Sequence, residues 1–169
     1  MNKVSLPWTA VESKSALESA VANEVGTGEL LTADPNEWGF FRLPNGKVFV
    51  VGYANLGLMP IAVLIGNRLL VGIDEVLDSF DIDTGQRKFS YRMPSVFHEF
   101  ISLADPIVVR DEIGFVAISA DGEEFWSFVT SGPIRRFSID HGMIHGETID
   151  DEPFEFTIPS QFSRRKDDG

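Results

Sequence analysis

Residues 111–128 read DEIGFVAISADGEEFWSF. An apolar run, a small polar punctuation at Ala120-Asp121-Gly122 and a second run around Trp126 describe one antiparallel hairpin. The glycine supplies the left-handed backbone that such a turn needs, and the flanking Val, Ile, Phe and Trp favour a pleated, half-buried surface. In this reading Phe115, Ala117 and the facing Phe125 enter the core. Glu123 and Glu124 stay at the turn, and Trp126 is an aromatic of the core or the sheet face.

The same pattern recurs along the chain. GFFRLPNGKVFVV turns at Pro44-Asn45-Gly46, IAVLIGNRLLVGI at Gly66-Asn67, VLDSFDIDTGQRKFSY at Asp83-Thr84-Gly85 and RRFSIDHGMIHGETI at Asp140-His141-Gly142. A last strand, Phe154 to Ile158, follows Asp150-Asp151-Glu152-Pro153. Ten to twelve short strands are expected, with an irregular link from Gly52 to Pro60 and a longer connection, with room for a helical turn, from Met93 to Ala104. Before them, Thr9-Ala10-Val11-Glu12 fits a capping box, and Ala10, Leu17, Val21 and Val25 recur at helical spacing up to Gly26. The expected fold is all-β, mainly antiparallel hairpins in a curled sheet, a barrel or two packed sheets, with one N-terminal α-helix at about 9–25. A single domain is expected over residues 1–159, β-rich from 38 to 158, with a polar tail at 160–169.

Three of the turn glycines, Gly46, Gly85 and Gly122, are spaced by 39 and 37 residues. Around the last two, IDEVLDSFDIDTGQRKFSY and RDEIGFVAISADGEEFWSF align: Asp74-Glu75 on Asp111-Glu112, Phe89 on Trp126, Tyr91 on Phe128. The pair at about 74–91 and 111–128 resembles the blade repeats of quinoprotein-like β-propellers, in which a strand, an Asp-x-Gly turn and a strand ending in Trp recur. The resemblance implies a partial propeller of about three blades as the alternative fold, able to dimerise. It covers two copies, with Phe89 where the blade pattern has Trp, and it carries over no cofactor.

Charge and composition narrow the function. The 169 residues carry 26 Asp and Glu against 14 Lys and Arg, a formal net charge of −12. Residues 93–158 hold three Arg and thirteen acidic residues. A field of that sign repels phosphate, so nucleic acid and anionic membranes are disfavoured as partners and a basic protein is favoured. The apolar stretch Leu56–Ile65 is too short to span a bilayer and contains Gly57 and Pro60. The N-terminus shows no secretory h-region, so a cytoplasmic protein is expected. Without cysteine there are no disulfides, thiolate metal sites or Cys nucleophile.

No motif specifies a reaction. His141 and His145 have the spacing that binds zinc on a helix, but they flank a turn in β-patterned sequence, and no metal or other cofactor is expected. His98, Glu99 and Asp105 form the enzymatic alternative, an acid–base group in a pocket at the mouth of the sheet. Asp81 to Gly85 lacks the ligands that complete a calcium loop, and a turn in which Asp83 bonds its own backbone accounts for it. What remains is a set of acidic turns: Asp121, Glu123 and Glu124 at one hairpin tip, and Asp150, Asp151, Glu152 and Glu155 in another segment. If the sheet brings them to one end, they form an acidic rim for a basic partner. The expectation is a small, non-enzymatic, acidic binding module, of the kind an immunity protein uses against a basic, nuclease-like toxin. A self-associating structural module is the third reading.

Overall fold

The computed structural model describes residues 3–159, so the expected tail at 160–169 lies outside the described residues. Sixteen strands and one helix make up the described chain, in four sheets with no closed barrel. The chain divides into two compact units, residues 1–99 and 100–169.

The first unit opens with β1 (Lys3–Leu6) and β2 (Trp8–Val11), followed by α1 (Lys14–Ala20) and β3 (Val25–Leu31). Then come β4 (Glu37–Arg42), β5 (Lys47–Tyr53), β6 (Ile61–Ile65), β7 (Arg68–Ile73), β8 (Val76–Asp81) and β9 (Arg87–Arg92). They form two sheets, in the orders β2-β4-β5-β3 and β1-β6-β7-β8-β9. All pairings are antiparallel except β3 with β5, so the connection from β3 to β4 crosses over β5. The helix is shorter than its periodicity implied. Its N-cap is Ser13, whose side chain accepts from the Ala16 amide, and not Thr9. Thr9 lies in β2 opposite Phe40, where the four-residue pairing with β4 outweighs a local capping box. Gly26 stops no helix; it lies in β3, paired with Val48 of β5.

Both faces of the first sheet are used. On one, Leu17 of α1 closes over Phe40 and Val48, with Val11, Val21, Trp38 and Val50 around them. On the other, Leu30, Phe41, Phe49, Val51 and Tyr53 meet Leu69, Val71, Ile73 and Phe80 of the second sheet. Phe41 and Phe49 are fully buried, each removal from water contributing about 2–3 kcal/mol. The β8–β9 turn locks the two sheets together. The Thr27 hydroxyl donates to the Ile82 carbonyl, and Lys47 Nζ donates to the carbonyls of Ile82 (3.2 Å) and Asp83 (3.4 Å).

The second sheet pair comprises β10 (Phe97–Ser102), which straddles the division, β11 (Ile107–Asp111), β12 (Gly114–Ile118) and β13 (Glu124–Val129), then β14 (Ile134–Asp140), β15 (Met143–Thr148) and β16 (Pro153–Thr157). The orders are β10-β11-β12-β13 and β14-β15-β16. The expected connection at Met93–Ala104 therefore contains a strand. Its burial does not alternate beyond Phe97, which is why its period was illegible. Residues 111–128 form the expected hairpin, with Phe115 paired to Phe128 and Ala117 to Trp126. Phe115, Ala117 and Trp126 enter a core with Ile144, against which Phe128, Phe137, Phe154 and Phe156 pack. Phe125 does not join them. With Trp126 and Phe128 facing inward, strand alternation turns Phe125 outward, and it is 39% exposed. Trp126 Nε1 is buried with no acceptor among the described residues.

Every expected turn glycine, Gly46, Gly66, Gly85, Gly122 and Gly142, has a left-handed φ between 62° and 87°. At Gly85 the conformation coincides with a close approach, because a Cβ would collide with the Thr27 carbonyl oxygen, whereas at Gly46 it would meet open space. Gly46→Ala should therefore cost about 1 kcal/mol, the left-handed penalty alone. Gly85→Ala should cost about 2–4 kcal/mol, because the latch between the sheets must also move. Urea-denaturation midpoints of the two variants check the difference.

Candidate functional site

The acidic residues are held by two different turns. In the first, Ser119 and Glu123 bracket Ala120-Asp121-Gly122, with the Ser119 amide donating to the Glu123 carbonyl (2.8 Å). The Ser119 hydroxyl accepts from the amides of Asp121 (3.1 Å) and Glu123 (3.0 Å). A three-residue turn with a left-handed glycine and an internal side-chain cap presents Asp121, Glu123 and Glu124 as exposed carboxylates on a stiff tip. Phe125 and Val129 are exposed on the adjoining strand, at 39% and 50%.

The second turn, Ile149-Asp150-Asp151, has the same bracket, with Thr148 and Glu152 closing it and Asp151 taking the left-handed position. It lies at the other end of the sheets. The Ile149 amide donates to the Pro133 carbonyl and the Ile134 amide to Glu112, so this turn sits beside the β11–β12 reversal. The 119–123 turn closes the far end of β12, about 16 Å away at the rise of an extended strand. A single rim is therefore not formed. The second cluster is also neutralised in part: Arg135 pairs with Asp151 and Glu147, and Ser131 donates to Glu152. Glu155 stands apart from both turns, exposed in the middle of β16.

The histidines separate likewise. His141 is a turn residue with a left-handed φ of 46° and stands beside Asp140 at 3.5 Å. His145 is on β15, directly opposite Ser138, and its Nε2 lies 2.8 Å from the Ser138 hydroxyl. Among the described residues no group of three or more His, Asp or Glu is placed to hold a metal. Register puts Glu155 directly opposite His145 on the other side, so Ser138, His145 and Glu155 form one row across three strands. The row lines a shallow depression of about 430 Å³ with Arg136, Glu147 and Pro153. The Ser138–His145 couple depends on strand register, which the spacing of His141 and His145 does not show. Ser138 lies within the regular strand β14, not on the sharp strand-to-helix turn that exposes a serine nucleophile beside oxyanion-binding amides.

His98 and Glu99 are consecutive residues of β10, and consecutive strand residues point to opposite faces; they are not a facing acid–base pair. Asp105 lies in the exposed part of the following loop. The Asp81–Gly85 turn is capped by Asp81 and not Asp83. Asp81 Oδ1 accepts from the amides of Asp83 and Thr84 (3.0 Å each) and from the Thr84 hydroxyl (3.1 Å). These bonds, that of the Thr84 amide foremost, hold its carboxyl below the usual range.

Two buried carboxylates in the first unit escaped sequence reading. Asp74, only 4% exposed and left-handed, accepts from the Thr32 hydroxyl (2.9 Å) and the amides of Ala54 (2.8 Å) and Leu56 (3.1 Å). It pins the loop after β5, whose Leu56 and Met59 are exposed, beside a cavity of about 290 Å³. Asp78, fully buried on β8, has Arg87 at 3.4 Å and leaves Oδ1 without a partner among the described residues. Loss of solvent pushes its carboxyl above the ordinary range, against the lowering effects of Ser90 and Arg87.

Two predictions follow from these carboxylates. Asp74→Ala should cost about 2–3 kcal/mol by stranding the donors of its loop, and amide exchange at Leu56 should accelerate. For Asp78, a raised folded-state pKa makes the charged form the disfavoured one. Its stabilising contribution is complete below the unfolded value of about 4 and is lost as pH rises through the folded value. Asp78→Asn should accordingly match or exceed the wild-type urea midpoint at neutral pH, with the advantage fading on acidification.

No family model and no curated protein matches the chain. Among solved structures, the crystal structure of the computationally designed Ika4 protein is similar at a TM-score of 0.44 and 10% identity, covering 81% of this chain and 99% of that one. A likeness at that level carries no functional argument. No helix among the described residues is long and apolar enough to cross a membrane.

Proposed function

We propose that this chain is a non-enzymatic binding module for a basic protein, in the cytosol, acting in the manner of an immunity protein that covers a nuclease-like toxin. The observation that carries the reading is the 119–124 tip: exposed carboxylates on a turn already locked by Ser119, beside the exposed Phe125 and Val129. A preorganised patch of this kind gives up little conformational entropy on binding. An apolar anchor surrounded by charge matches the anatomy of tight interfaces, and the formal charge of −12 steers a cationic partner toward it.

The experiment compares two charge reversals in this chain by their effect on binding a partner co-purified from the source cells. Asp121→Lys, Glu123→Lys and Glu124→Lys together should weaken binding about 100-fold at low salt. Asp150→Lys with Asp151→Lys, in the partly neutralised turn, should change it several-fold at most. Titration calorimetry at two ionic strengths reads both, and equal losses would remove the assignment to the tip.

One observation favours an enzymatic reading, the Ser138–His145 couple. Set within a regular strand and without a nucleophile elbow, Ser138 should resist a serine-directed fluorophosphonate. Labelling of the wild type that is lost in Ser138→Ala would put a hydrolase in place of the binding module.

A further inference from the structure

The sheet β14-β15-β16 is one strand short of its sister. In the first unit β6, β7, β8 and β9 run as a four-stranded meander, and β10 to β13 repeat it, whereas β14 to β16 stop at the third strand. The third strands of the two complete meanders, β8 and β12, are interior and mostly or wholly buried; β16 has the same place in the order, and no described strand pairs with its outer side.

The hydrogen-bond pattern shows what that side offers. The Thr148 amide donates to Glu152 and the Ile158 amide to Gly142, with pairs running in register from Met143↔Thr157 to Glu147↔Pro153. Antiparallel pairing alternates, so Phe154 and Phe156 spend their main-chain groups on β15. The amides of Glu155 and Thr157 and the carbonyls of Pro153, Glu155 and Thr157 point outward. Pro153, which has no N–H, sits where none is needed.

Side chains beside the edge define its occupant. On the inner face, Phe128 of β13 stacks on Phe156 (4.8 Å) and lies 5.8 Å from Phe154, and Trp126 lies 5.1 Å from Phe156. Apolar side chains of an added strand would extend this aromatic row. On the outer face stands the exposed carboxylate of Glu155. The far end of the edge leads to the acidic tip, since Trp126 follows Glu124 by two positions on β13 and packs on Phe156 near the end of β16.

We propose that the free edge of β16 takes up an extended segment of the partner, alternately apolar and basic, as the fourth strand of this sheet. The proposal rests on the basic-partner reading above and adds the mode of binding. Main-chain bonds to Glu155 and Thr157 supply part of the affinity. Apolar residues on the Trp126–Phe128 side and Lys or Arg on the Glu155 side supply the selectivity. A second copy of this chain is a poorer occupant, because antiparallel pairing centred on Glu155 would set that carboxylate against itself.

The test uses the full chain and two synthetic octapeptides, one alternating Lys and Val, the other with the same residues in blocks, Lys4Val4. The alternating peptide should bind at least tenfold tighter and shift the amide resonances of Glu155 and Thr157. Thr157→Pro removes an outward N–H that no internal bond uses, and should lose at least tenfold of that affinity with an unchanged melting temperature. If that variant misfolds, alternating peptide N-methylated at every second residue should fail to bind the wild type. Equal binding of the two peptides, unmoved Glu155 and Thr157 amides, or full binding to folded Thr157→Pro would overturn strand addition. Shifts of those amides with protein concentration alone would do the same, by identifying a second copy as the occupant. Sensitivity of the natural partner to reversal of Asp121, Glu123 and Glu124, combined with indifference to Thr157→Pro, would overturn the mode while leaving the basic-partner function standing.

Discussion

Left-handed backbone at the chain reversals is the constraint on which the rest of this structure depends. Gly46, Gly66, Gly85, Gly122 and Gly142 adopt it where glycine makes it inexpensive, and Asp74, His141 and Asp151 adopt it where a side chain is present. Each reversal fixes the register of the strands it joins. A slip of one residue would send an entire strand's aromatics to the opposite face. Trp126 pairs with Ala117 and packs on Phe156 because the 119–123 turn sets that register, with a bulge absorbed between Ala117 and Ile118.

Register also decides what chemistry the surface can present. The row Ser138, His145 and Glu155 exists because three residues far apart in sequence meet in line across β14, β15 and β16. The same alternation gives this sheet an aromatic inner face, with Phe137, Ile144, Phe154 and Phe156, and a polar outer one. In the first unit α1 plays the covering role instead. It lays Leu17 over Phe40 and Val48, so the sheet β2-β4-β5-β3 has apolar packing on both sides.

Buried carboxylates mark where the fold accepts electrostatic cost. Asp74 is fully committed, bonding to donors from two different segments, and it orders the loop that carries Leu56 and Met59. Asp78 is enclosed with half of its carboxylate unpartnered among the described residues, and Ser90 with one guanidinium at its edge offsets only part of the desolvation. The first arrangement is organising; the second is a strain on stability at neutral pH. Both sit in segments that read simply as strand and turn.

By itself the sequence determined the local structure: the period-two runs, the turn glycines, the all-β class and the sign of the charge. These follow from the preferences of residues close together in the chain, and GNR, DTG, ADG and DHG mark their reversals plainly. It misjudged the first helix, because Thr9 and Glu12 satisfy a capping box locally while the strand pairing of Trp8–Val11 with β4 is a long-range gain. It passed over β10 because a strand without alternating burial has no readable period. Only the tertiary structure decided which turns share an end of a sheet, and so parted Asp121, Glu123 and Glu124 from Asp150, Asp151 and Glu152. Only it set His145 beside Ser138 and left the outer side of β16 without a neighbour among the described strands. These outcomes depend on strand order and direction, which arise from contacts between residues distant along the chain and leave no mark in any short stretch of it.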